Sequence, residues 1–262
     1  MESAVELLKK LRHEWSRKPD AEAMRRCGVL LPQLKLSLTS LGFLAAAKKQ
    51  PTVQELIIAR DGLEIGALWS IEKSDIPTFE RYMAQLRCYY SDYKDSLPKS
   101  AYQYELTGLN LLSLLAQNRL AEFHIELEVL PPDDLSDNVY LRHPIALERY
   151  LMEGSYNKIF LSRGNVPSET YNFFIDMLVD TVREEIASCA EKSYQQLDRR
   201  EATKMLFLDS EEDMDKIAES RCWELRNGFY CFDQREKMDV AIPSIQVIHQ
   251  TLEYARELER IV

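Results

Sequence analysis

Paired cysteines, glycine-rich loops and long apolar runs are all missing from this 262-residue sequence. Its five cysteines, Cys27, Cys88, Cys189, Cys222 and Cys231, are scattered and odd in number, with no C-x-x-C pair. That excludes a disulfide framework and a zinc finger, and it predicts a reducing compartment. The eight glycines form neither G-x-G-x-x-G nor a P-loop, so no nucleotide cradle is legible. No apolar run approaches the ~20 residues of a membrane span. The amphipathic start MESAVELLKKLRHEW is not a signal peptide.

Histidine is scarce too. His13, His124, His143 and His249 stand apart, without H-E-x-x-H or a close His–His–Asp set. No G-x-S-x-G elbow exists. Cys222 and Cys231 flank one turn but lack further soft ligands nearby, so they read as small packing residues. No catalytic residue, cofactor or metal is expected. Positive charge is outnumbered, 33 Lys and Arg against 43 Asp and Glu, for a formal net charge of -10. A chain of that balance is not built to wrap a nucleic-acid backbone or lie on an anionic membrane.

What remains is helical periodicity over an apolar content of 45%, ample for a core. Val5, Leu8, Leu11 and Trp15 make one stripe. Leu34, Leu38 and Leu41 make another, with Pro32 expected in its first turn, where a missing N–H costs little. A loop (AAAKKQP) follows. Asp75 reads as an N-cap with Pro77 just inside the next helix. Then a repeat emerges. Ile65, Leu68, Ile71, Ile76, Phe79, Met83 and Leu86, offset by 44, land on Leu109, Leu112, Leu115, Leu120, Phe123, Leu127 and Leu130, all apolar. The turn Lys73-Ser74 lands on Gln117-Asn118. Stacked helix–turn–helix units are the device of an α-solenoid, because one hairpin cannot bury its own apolar face. PPDDLSDN at 131–138 reads as a loop. One or two shorter helices follow in HPIALERYLMEGSYNKIFLSRG, then one or two more in SETYNFFIDMLVDTVREEIASCAEKSY.

Near residue 195 the character changes. A short strand (YQQLD), two brief helices and a hairpin about Asn227-Gly228 give the order of a winged helix. Its third helix, SEEDMDKIAESR, carries five acidic residues against Lys216 and Arg221. That composition fits a protein-contact surface and not a major-groove reader. A linker over 240–243 leads to a last helix on which Ile245, Ile248, Leu252, Ala255, Leu258 and Val262 recur at steps of three and four. So short a helix is marginal alone. It either folds back on its own domain or joins helices of other chains.

Helical repeats, a winged helix and a terminal helix are the plan of PCI-domain proteins. ARDGLEIGALWSIEKSDIPTFERYMAQLRCYYSDYKDSLPKSAY (59–102), LTGLNLLSLLAQNRLAEFHIELEVLP (106–131), HPIALERYLMEGSYNKIFLSRGNVPSETYNFFIDMLVDTVREEIASC (143–189) and the terminal EYARELERIV resemble one family of them. It is the proteasome non-ATPase regulatory subunit 8 family, the small PCI subunits of the regulatory-particle lid. More distant kin are the small signalosome subunit and the k subunit of translation initiation factor three.

The resemblance implies a mainly α fold with α-solenoid-like repeats over 1–180 (the PCI helical part from about 55). A winged helix over 181–240 and an assembly helix over 241–262 complete it. It implies a non-catalytic scaffold in the cytoplasm and nucleus. Its partners would be other lid PCI subunits, met through winged-helix edges and a bundle of terminal helices. Ile245, Ile248, Leu252, Ala255, Leu258, Val262, Asn227 and Gly228 would lie at those interfaces. Residues 18–32 and 196–221 fit the family least well. The alternatives are a PCI scaffold of another complex and a nucleic-acid-binding winged-helix protein.

Overall fold

A computed structural model describes residues 2–16, 21–40, 52–94, 96–164, 166–208, 210–226, 228–232 and 244–260. The predicted loop over 45–51, the linker over 240–243, and Leu41, Asn227 and Val262 lie outside the described residues. The chain divides into two compact units, Met1–Val182 and Arg183–Val262.

The first unit is helical. It holds α1 (Glu2–Trp15), α2 (Ala21–Ser40), α3 (Val53–Glu72), α4 (Ile76–Ser91), α5 (Gln103–Ala116), α6 (Leu120–Val129), α7 (Pro132–Asp137), α8 (Val139–Met152), α9 (Tyr156–Ser162) and the first half of α10 (Tyr171–Ser193). The 44-residue repeat is the pair α3–α4 and α5–α6. Its turns match atom for atom. Ser74 and Asn118 both take left-handed φ, 57° and 59°. The Ser74 N–H donates to Ile71 O and that of Asp75 to Ser70 O; the Asn118 N–H donates to Leu115 O and that of Arg119 to Leu114 O. This double bond closes the last turn of a helix when the next residue is left-handed, satisfying carbonyls that would otherwise be orphaned. The same pattern recurs at Gly154, between α8 and α9. Three hairpins therefore turn alike. Asp75 caps α4 as expected, accepting from Thr78 N at 3.1 Å.

Two expectations fail here. PPDDLSDN is not a loop but the helix α7, with proline in its first turn and Asp133 and Asp134 set against the positive helix end. Pro32 is not at a helix start; it lies inside α2, which begins eleven residues earlier, at Ala21. Its ring faces the carbonyl of Gly28. There the chain has no side chain, and a Cβ would stand 2.8 Å from the Trp69 ring. Trp69 in turn donates from Nε1 to Met24 O at 2.9 Å.

α3, whose Ile65, Leu68 and Ile71 opened the repeat, is buried nearly all round. Leu8, Leu11, Leu31, Leu34 and Ile65 form one core between α1, α2 and α3. Phe79 and Phe174 meet in another, centroids 5.5 Å apart. α10 further ties α5 down, since Thr181 Oγ1 donates to the last-turn carbonyl of Ala116 at 2.7 Å.

The second unit holds the rest of α10, β1 (Gln196–Asp198), α11 (Arg199–Met205), α12 (Glu211–Ser220), β2 (Glu224–Arg226), β3 (Phe229–Cys231) and α13 (Ser244–Glu259). The sheet is antiparallel in the order β1-β3-β2, with Leu197 and Leu225 both opposite Tyr230. A winged helix followed by one further helix is the result. Among the described residues, no helix is long and apolar enough to cross a membrane.

Candidate functional site

The winged helix is braced from behind by α10. Arg183 donates from Nε and Nη2 to the Leu206 and Phe207 carbonyls, at 3.2 and 3.1 Å, which closes the C-terminus of α11. Arg221 reaches Glu184 O at 2.8 Å and Glu191 at 3.0 Å, and Trp223 Nε1 donates to the same Glu191 oxygen at 2.8 Å. The Trp223 ring then packs edge-on against Phe232, centroids 4.9 Å apart. These bonds tie the start and end of the hairpin segment to α10 on its inner side.

The outer side is open. β2 is a sheet edge, and Glu224, Leu225 and Arg226 are all exposed. Gly228 takes φ +87°, the left-handed turn that the hairpin demands, and its carbonyl accepts from Arg199 N at 3.2 Å. Asn227, its partner in the expected turn, lies outside the described residues.

The acidic third helix has a structural share that sequence reading understated. Arg199 holds Asp215 at 2.5 Å and Glu211 at 3.3 Å. Tyr230 donates its hydroxyl to Asp215 at 2.9 Å; burial, then this carboxylate, pushes its pKa up to about 12. Asp213 is kept below its ordinary value by hydrogen bonds from Lys216 and Ser210. Glu212 and Glu219 remain exposed.

α13 is the second open surface. Every one of its side chains that the structure describes is exposed, so none is folded back into a core. Ile245 is 84% exposed, Leu252 63% and Tyr254 72%. At about 100° per residue, Ile245, Ile248, Leu252 and Ala255 share an arc of about 80°. Leu258, Val247 and Tyr254 continue it to about 180°. The apolar face is thus somewhat wider than the seam read from sequence, which already reached Leu258 and covers about 140°. Val247 and Tyr254 belong to it, and their own i, i+7 spacing was the signal that could have found them. The opposite side carries Gln250, Glu253, Arg256, Glu257 and Arg260. Thr251 and Glu259 interrupt this half, but an isolated helix with so much of its circumference apolar and wet is out of place in a free monomer.

Among the described residues, no group of three His, Cys, Asp or Glu side chains could hold a metal ion. His124 is exposed and stands 3.5 Å from Glu148.

The description of the CSN8/PSMD8/EIF3K family matches residues 101–240. The chain is 41% identical over 242 residues to the 26S proteasome non-ATPase regulatory subunit 8 homolog A of Arabidopsis thaliana, covering 90% of each. It is 38% identical over 221 residues to the 26S proteasome non-ATPase regulatory subunit 8 of Caenorhabditis elegans, covering 84% of this chain and 87% of that protein. To the 26S proteasome regulatory subunit RPN12 of Saccharomyces cerevisiae it is 32% identical over 252 residues, covering 90% and 92%.

Proposed function

The chain belongs to the CSN8/PSMD8/EIF3K family, and from that premise we propose that it is a non-catalytic, architectural subunit of the proteasome regulatory-particle lid. It works in a hetero-oligomer with other proteasome subunits, supporting lid assembly and docking of the lid on the base for ubiquitin-dependent degradation. The observation that carries this reading is α13. Its apolar half has no cover within the described residues, and a partner's helices would supply one. Burying that face is worth several kcal/mol at about 25 cal/mol per Å² of apolar area, before ordering costs. Residues 1–180 act as the helical-repeat body, 181–240 as the winged helix and 241–262 as the assembly element. Ile245, Ile248, Leu252, Ala255, Leu258 and Val262 form the assembly face. The open edge at Leu225 and the turn at Asn227-Gly228 lie at or near the contact with a neighbouring PCI subunit.

Leu252→Asp tests this reading. The isolated variant keeps the melting temperature of the wild type, because Leu252 is exposed, and it stops co-purifying with other proteasome subunits. Undiminished co-purification removes the assembly role from α13.

A further inference from the structure

The helical unit hides a chain of charges that the scaffold reading leaves unused. Arg60, Asp61 and Glu64 are all buried on α3, at 6%, 8% and 2% exposure. Asp61 accepts from Arg12 of α1 through Oδ2, and from Arg60 Nη2 through Oδ1 at 3.0 Å. The same Arg60 extends Nη1 to the Pro98 carbonyl at 2.6 Å. Its Nε stands 3.6 Å from Glu64 Oε1. Glu64 closes the chain by accepting from Tyr90 of α4 at 2.9 Å and from Ser100 at 2.8 Å. One guanidinium thus grips both the carboxylate that faces α1 and the connector that joins α4 to α5. Burying three charges side by side is costly, and replacing them with apolar side chains is often neutral or better for stability. Their arrangement does what apolar packing cannot: it fixes direction and links distant groups through shared atoms.

We infer that Arg12, Asp61, Arg60 and Glu64 form a conformational coupling between the N-terminal helix α1 and the connector at 96–102. Losing Arg12 frees Asp61 to turn. Arg60 then follows the carboxylate, and the Pro98 carbonyl and the Ser100 hydroxyl lose their fixed anchor. A partner gripping α1 is by this route felt at the connector, and one gripping the connector is felt at α1.

Hydrogen exchange on the full chain tests it, with Arg12→Ala as the first variant. Arg12 is 59% exposed in its side chain, so its removal leaves the core packing in place. The reporters are the Leu97 amide, bonded to Tyr93 O, and the Tyr102 amide, bonded to Ser100 Oγ. Exchange there should rise about fivefold or more, the scale of an ordinary coupling between sites, while α10 over 171–182 stays unchanged. Asp61→Asn should act in the same direction. In an Arg60→Lys background, where the fork that joins the two ends is lost, Arg12→Ala should add nothing at the connector. A rise confined to α1, or one shared equally by α10, overturns the coupling.

Discussion

Pro144 sits inside α8 and deprives the Tyr140 carbonyl of its helical donor. Tyr171 supplies the replacement, its hydroxyl lying 3.3 Å from Tyr140 O and 3.3 Å from Glu105 O. Gly108 makes the room: a Cβ there would stand 2.6 Å from the Tyr140 carbonyl. Tyr171→Phe should therefore cost about 1–3 kcal/mol, the usual loss when a buried carbonyl is left without its donor; urea unfolding measures it. Nothing in the sequence announces this trio, because the partners are separated by 31 and 66 residues and only the fold brings them together. The α3 charges were hidden for a similar reason. Arg60, Asp61 and Glu64 stand within a helical segment in the sequence, but their burial and their partners Arg12, Tyr90, Pro98 and Ser100 come only with the fold. Burial raises the Glu64 pKa, and the Ser100 and Tyr90 hydroxyls offset this only in part. A raised folded-state value means that the ionised form is the costly one. The native state therefore gains stability as pH falls through that value toward the ordinary 4.5, and forfeits it as pH rises. Glu64→Gln removes this dependence. Its melting temperature relative to wild type should be higher at pH 8 than at pH 5, and equal offsets at the two pH values would contradict the burial argument.

At the scale of elements, helix ends explain much of what was legible and what was not. Asp75, and the paired turns at Lys73-Ser74 and Gln117-Asn118, could be read because capping chemistry is local. α7 was missed because two prolines and three acidic residues look like loop composition, although proline at a first turn beside aspartates is also a helix start. The turn closing each hairpin is reused in the winged helix at Phe207 and Cys222, with φ of 52° and 58°. A side chain in that region costs more than glycine would. Cys222 is exposed, so Cys222→Gly gives up little packing and should stabilise the chain by about 0.5–1 kcal/mol. An unchanged denaturation midpoint would mean that no strain is held there. The steps of three and four along α13 were plain in the sequence. Val247 and Tyr254 were missed because they fall outside those steps; their i, i+7 spacing was there to be read, and their exposure adds them to the same open face.

For the whole molecule, charge and open surfaces point the same way. The net charge of -10 disfavours a phosphate backbone as partner, and Glu212 and Glu219 stay exposed on the helix that would enter a groove. The full chain should accordingly leave duplex DNA and single-stranded RNA unshifted on a gel even at low salt. A shift abolished by salt would revive the nucleic-acid reading. Family and architecture could be read from sequence because helical period, turn chemistry and stretches such as DIPTFERYMAQL survive without coordinates. Which surface stays uncovered could not, since exposure depends on all the packing at once. The most direct test of the account is to delete residues 243–262 and run cell extract on a native gel, probing for this subunit and for the proteasome. The account predicts a soluble, folded chain that is absent from the large complex. Normal entry of the truncated chain would contradict it, and would pass the assembly contacts to the winged helix alone.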